Sequence, residues 1–212
     1  SGAGNVAIAN GTLYSVQLRA VNAAGSGPAS ATSLVAPRGA PQAPTGLALT
    51  PVDGGLEVAF TLGADGGSPI TAIEYQLGDG SWLPAGSLGS PLTITGLTNG
   101  TAYDVRVRLV NAIGTGAPSA PATGTPSALP SAPTAVDATS APGGASVEWT
   151  APASDGGAAI SGYVVRAFSA AAGGTPVATC AAASVAGCAL TGLTNGTTYY
   201  VEVAATNATG TG

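Results

Sequence analysis

The sequence predicts an all-β fold, with antiparallel β-sandwiches in tandem. Three observations predict it. Apolar and polar residues alternate at period two in several short runs, as half-buried strands require. Glycine (33) and proline (16) punctuate those runs along all 212 residues, which suits many strands joined by tight turns. One pattern also recurs three times at an interval of about 90 residues, the length of a sandwich domain rather than of a solenoid unit.

The recurring pattern begins at Asn10-Gly11-Thr12-Leu13-Tyr14, Asn99-Gly100-Thr101-Ala102-Tyr103 and Asn195-Gly196-Thr197-Thr198-Tyr199. Alternating apolar positions follow each tyrosine: Val16 and Leu18, Val105 and Val107, Val201 and Val203. Each run then reaches an asparagine with a glycine three positions on: Asn22 and Gly25, Asn111 and Gly114, Asn207 and Gly210.

Upstream, Leu56-Glu57-Val58-Ala59-Phe60 and Ala145-Ser146-Val147-Glu148-Trp149 each alternate as a strand, which places Phe60 and Trp149 at one core aromatic position. Asp65-Gly66-Gly67 and Asp155-Gly156-Gly157 read as the turns that follow, and the next strands should begin at Ile70 and Ile160. Leu92–Leu97 and Ala189–Leu193 form the strand before the Asn-Gly turn. No segment has helical spacing over a useful length.

These runs resemble strands E and F and the F–G turn of fibronectin type III domains, of the kind repeated in secreted bacterial proteins. Trp149 on strand B adds to the resemblance, and Phe60 departs from it conservatively. The resemblance implies an Ig-like sandwich of two antiparallel sheets, with seven strands in a complete repeat. Tyr14, Tyr103 and Tyr199 fit structural tyrosine corners, whose hydroxyls bond upstream backbone at the E–F crossing.

Three divisions follow. Residues 1–37 hold a partial repeat (strands E–G), 41–127 a complete one, and 131–212 a repeat lacking strand G. A 37-residue piece is too small to build a sandwich core. These uneven ends lead to the expectation of a window from a longer array, with no leader peptide in view. The intervening stretches, Pro37-Arg38-Gly39-Ala40-Pro41-Gln42-Ala43-Pro44 and Pro126-Ser127-Ala128-Leu129-Pro130-Ser131-Ala132-Pro133, are expected to be stiff linkers that hold repeats apart in an extended array.

Composition narrows the function. Only 7% of residues are charged, net charge is −5, and neither Lys nor His occurs. Five scattered arginines give no basic footprint for nucleic acid or for anionic lipid. No apolar run is long enough to cross a membrane as a helix. Without His there is no Ser-His-Asp triad, and without Lys no Schiff base. The ten acidic residues are scattered, so no enzyme activity, cofactor or metal site is expected.

Cys180 and Cys188 are expected to pair as a disulfide between a strand ending at Cys180 and strand E, stabilising by about 2–3 kcal/mol and placing the chain in an oxidising, extracellular setting. Asn10, Asn99, Asn195 and Asn207 match glycosylation sequons, although turn chemistry explains the first three positions. Asp65 and Asp155 lack the further oxygen ligands that calcium needs. Trp82 has no evident core role and either covers a sandwich edge or stacks on a sugar.

The expected function is a non-catalytic structural segment of an extracellular filament, stalk or surface protein, whose partners are neighbouring repeats or subunits. The alternatives are spacer repeats of a secreted carbohydrate-active enzyme, and an adhesin or phage appendage that binds carbohydrate or a cell-surface ligand.

Overall fold

The structure, a computed structural model, describes residues 7–171, 174–184 and 187–212. All the regular structure among them is β.

In the first segment, β1 (Tyr14–Val16) pairs antiparallel with β4 (Ser33–Val35), and β2 (Val21–Asn22) with β3 (Gly25–Ser26). Among the described residues, no second sheet covers their apolar side chains. Leu13, Leu18 and Leu34 are 64%, 74% and 66% exposed, so the described residues of this segment form no core of their own. The strand expected before Asn10 falls largely on residues 1–6, outside the described residues.

The next seven strands are β5 (Thr45–Val52), β6 (Gly55–Thr61), β7 (Ile70–Leu77), β8 (Leu83–Pro84), β9 (Leu92–Thr95), β10 (Tyr103–Asn111) and β11 (Ala122–Gly124). They form a sheet of order β5-β6-β9 and a sheet of order β11-β10-β7-β8. The burial pattern follows the alternation in sequence. Val58 and Phe60 of β6 face inward while Ala59 faces out, and Val105, Val107 and Leu109 of β10 are fully buried.

The last six strands repeat the plan. They are β12 (Thr134–Ala141), β13 (Gly144–Thr150), β14 (Gly162–Phe168), β15 (Ala178–Ala182), β16 (Cys188–Thr191) and β17 (Tyr200–Thr206), in sheets β12-β13-β16 and β15-β14-β17. Their core holds Val147, Trp149, Tyr163, Val165, Ala167, Leu190 and Ala205. The Trp149 and Tyr163 rings pack 5.2 Å apart at 49°. Such tilted geometry suits the ring quadrupoles.

Four boundaries differ from the sequence-based expectation, and two of them are early ends: β9 stops at Thr95 and β16 at Thr191, short of Leu97 and Leu193. Strand β14 starts at Gly162, not Ile160; Ile160 packs against the core just ahead of the strand, and Ser161 N–H donates to the Thr206 carbonyl at 2.7 Å. Strand β15 runs past Cys180 to Ala182, because the small alanines continue the ladder along β14 as far as the Tyr163–Ala182 pair.

By backbone proximity the chain falls into two compact units. One comprises residues 1–49, 58–93 and 103–123; the other comprises 50–57, 94–102 and 124–212. The division cuts strands β5, β6 and β9 rather than either proline-rich linker, so each linker lies inside a unit together with what it touches.

Candidate functional site

The most specific geometry in this chain surrounds the two linkers, and it begins with glycines. In the first unit, Gly66 and Gly67 follow Asp65 with φ of 70° and 80°, a region open to glycine at little cost. Asp65 Oδ1 accepts the Gly67 N–H at 2.8 Å and fixes the turn. Gly67 then lies directly on the Asn10-Gly11 turn; a Cβ on Gly67 would collide with the Gly11 backbone. Gly11 donates its N–H to the Pro37 carbonyl at 2.8 Å, and Gly39 of the linker donates to the Gly66 carbonyl at 2.9 Å.

Asn111, at the end of β10, completes the arrangement. Its Nδ2 donates to the Gly39 and Asp65 carbonyls, each at 2.8 Å, while its Oδ1 accepts N–H bonds from Ile113 and Gly114. One side chain thus holds its own F–G turn, the linker and the Asp-Gly-Gly turn together. Asn111 is only 4% exposed, where an unpaired amide would carry a full desolvation cost.

The second unit repeats this geometry with different residues. Gly100 donates to the Pro126 carbonyl at 2.9 Å, and Ala128 donates to the Gly156 carbonyl at 2.8 Å. Asp155 Oδ1 accepts the Gly157 N–H at 2.8 Å. Asn207 Nδ2 donates to the Ala128 carbonyl at 2.8 Å and the Asp155 carbonyl at 2.7 Å. A Cβ on Gly157 would strike the Gly100 nitrogen, as at Gly67. An additional bond, 2.7 Å between the Ser127 and Thr209 hydroxyls, has side chains at positions held by Arg38 and Ile113 in the first unit.

The linkers are bonded through their backbones on both sides, and glycine, lacking a side chain, lets main chain meet main chain. The sequence showed the Asn-Gly, Asp-Gly-Gly and Asn-x-x-Gly signatures, but not that they converge. A common interval was the available signal: Pro37 follows Gly11 by as many residues as Pro126 follows Gly100.

The other candidate residues lie apart from these junctions. Cys180 and Cys188 form a disulfide with Cα atoms 6.2 Å apart, linking β15 to β16. The Tyr14 hydroxyl accepts the Ala9 N–H at 2.8 Å, and the Tyr199 hydroxyl accepts the Thr194 N–H at 3.1 Å, five residues upstream in both cases. Tyr103 is also engaged. Phe60 and Trp149 are buried, and Trp149 Nε1 has no hydrogen-bond partner among the described residues.

Trp82 carries the Arg108 guanidinium 4.1 Å above its ring centroid, and Arg108 also pairs with Glu74 at 2.7 Å. A cation–π contact therefore occupies one face of the ring. Asn99 Oδ1 accepts the Gly54 N–H and Asn195 Oδ1 the Gly143 N–H, each at 2.9 Å, so these two sequon asparagines also brace turns. Among the described residues, no three His, Cys, Asp or Glu side chains are grouped to hold a metal. No described helix is long and apolar enough to cross a membrane.

Paired antiparallel sheets in tandem, joined by bonded linkers, define a chain of sandwich modules. The family profile described as Fibronectin type III domain matches residues 42–125 and 131–212, and the chain belongs to that family. The fold is also similar to the crystal structure of chicken CNTN1 FN1-FN3 domains, with a TM-score of 0.53 at 20% identity over 96% of this chain and 73% of that one.

Proposed function

We propose that this chain is a non-catalytic structural segment of an extracellular filament, stalk or surface protein of a microbe, in which serial repeats set spacing and stiffness. The observation that supports this reading is the junction built twice from the same parts. Its glycine contacts and its buried asparagine have no use in catalysis. They have a direct use in keeping consecutive modules from swinging freely. The Cys180–Cys188 disulfide supports an oxidising compartment. The low charge and small side chains suit close packing against neighbouring repeats or subunits, which are the implied partners. No cofactor enters this reading.

Immunogold labelling of the producing cells tests the proposal. Label along filaments or the cell envelope is expected. Label confined to soluble polypeptides with glycan-hydrolysing activity would instead favour spacer repeats of a secreted carbohydrate-active enzyme.

A further inference from the structure

The Asn-Gly turn occurs three times in this chain; of its three Asp-Gly-Gly sequences only Asp65-Gly66-Gly67 and Asp155-Gly156-Gly157 have both glycines at positive φ, and both of these turns are already seated. Gly67 covers Gly11 and Gly157 covers Gly100, whereas a Cβ placed on Gly196 would meet nothing within 4 Å. We propose that the Asn195-Gly196 turn is a docking surface for the Asp-Gly-Gly turn and preceding linker of a further repeat of this kind, joined in series behind the third.

The empty turn already has the shape of the occupied ones. Gly196 has φ of 78°, and Gly11 and Gly100 both have 80°. Asn195 Oδ1 accepts the Gly143 N–H at 2.9 Å, as Asn99 Oδ1 accepts that of Gly54 at 2.9 Å. The Thr197 N–H closes on the Thr194 carbonyl at 3.2 Å, and the Thr101 N–H on the Thr98 carbonyl at the same distance. Leu193 donates to the Gly143 carbonyl at 3.0 Å, as Leu97 donates to that of Gly54 at 2.9 Å. The surface is formed without an occupant, so docking needs no rearrangement and loses little to ordering.

The chemistry of the occupant follows from the two seated examples. It needs a backbone carbonyl to accept the Gly196 N–H, the role of Pro37 and Pro126. It needs two consecutive glycines at positive φ, since a side chain at the second would collide with the turn. It also needs a carboxylate to hold that glycine pair, the role of Asp65 and Asp155. A second copy of this chain is a poor source, because its two Asp-Gly-Gly turns with both glycines at positive φ are covered, and Gly55 of Asp53-Gly54-Gly55 lacks that backbone. In both seated examples the acceptor carbonyl follows the turn glycine at one fixed interval in the same chain, which points to a repeat in series. The use of this surface rests on the serial-repeat reading above; its geometry does not.

The test extends the full chain after Gly212 with a copy of its own residues 117–212, which supplies a strand G, the Pro126-Ser127-Ala128 linker and a fresh Asp155-Gly156-Gly157 turn. Amide exchange at Gly196 is read by NMR in the chain with and without the extension. Slowing by about tenfold or more on extension is expected, bringing Gly196 close to Gly100, as gain of a buried hydrogen bond implies. Gly157→Val in the added copy should return Gly196 to its fast rate and leave Gly100 slow. Exchange at Gly196 that is unchanged by the extension, with Gly100 protected, would overturn the proposal.

A second measurement covers the case in which the added repeat fails to fold. In the unextended chain, Gly157→Val should speed exchange at Gly100 while the Val165 amide stays slow. An unchanged Gly100 would show that the seated turn is not held by this contact, and the proposal would fall with it. Exchange in solution is independent of where the protein resides, so failure here is distinct from failure of the filament reading.

Discussion

Gly157 rests on Gly100 backbone to backbone, and a Cβ on Gly100 would come within 3.2 Å of the Gly157 Cα. Two residues without side chains thus set how closely the second linker and its neighbouring turns can pack.

The first expected outcome compares three alanines. Gly157→Ala combines a left-handed backbone, φ 84°, with a collision at Gly100. A loss of about 3 kcal/mol is expected, above the ~1–2 kcal/mol of the backbone term alone. Gly100→Ala should be intermediate, since its nearest contact is looser. Gly196→Ala, with the same backbone but open space around it, should cost only about 1 kcal/mol. Urea midpoints for the three variants check the order, and equal losses would count against a seated junction.

Asn207 offers a second measurement. It is 4% exposed, donates to carbonyls 79 and 52 residues away, and accepts the Thr209 and Gly210 N–H groups. Asn207→Ala should destabilise by about 2–4 kcal/mol, because buried carbonyls and amides lose their partner together. Asn207→Asp keeps the acceptor but turns an anion toward two carbonyl oxygens, so it should be no better than alanine. Chemical denaturation of both variants decides; an Asp variant of wild-type stability would show that the Nδ2 bonds contribute nothing.

The strands were legible in the sequence where alternation was clean. Leu56, Val58 and Phe60 are buried, with exposed residues between them, and the Asn-Gly-Thr-x-Tyr signature marked each turn before strand F. The limits of β15 were not legible, because an alanine-rich run carries no boundary signal. The second role of Asn207 was hidden for a different reason. Its donors meet main-chain carbonyls, which every residue possesses, so no side-chain pattern at the far end announces the contact. The Asp-Gly-Gly pairs were visible as turns; that their missing side chains serve a neighbour could be seen only in three dimensions.

The disulfide yields a chemical test. In unreduced protein, Cys180 and Cys188 should resist alkylation, and both should react once a reductant is added. Replacing both with serine should lower stability by about 2–3 kcal/mol for so short a loop. Mass spectrometry of protein isolated without reductant reads the first outcome, and free thiols there would remove the main support for the proposed extracellular setting.

Tyr199 gives a pH dependence. The backbone N–H of Thr194, donated to its hydroxyl, holds the phenol below its ordinary value of 10.0, because the phenolate is the better acceptor. A folded-state value below the unfolded one contributes stability that is fully present above the unfolded value and fades as pH falls through the folded one. The stability gap between wild type and Tyr199→Phe should therefore widen as pH rises toward about 10. Urea midpoints at neutral and mildly alkaline pH check this; a gap that narrows would mean that the bond favours the neutral phenol.

The last expectation concerns the first segment. Strands β1 and β4 pair with each other, but Leu13, Leu18 and Leu34 stay largely in water, so little apolar burial opposes their opening. Strand β10 is different: Val105, Val107 and Leu109 are fully buried, and the Val107 N–H donates to Ser119 Oγ at 3.1 Å. Amide exchange of a verified monomer should therefore be fast across β1 and β4 and slowest in β10. Within the first segment, Gly11 should stand out as slower than its neighbours, because its N–H is held by the Pro37 carbonyl under the Gly67 turn. Gly67→Val should remove that local protection while Val105, Val107 and Leu109 of β10 stay slow. Uniformly strong protection from β1 through β10 would instead mean that the first segment gains stability the exposed leucines do not reveal. A Gly11 amide as fast as its neighbours would mean that the first junction opens freely in solution.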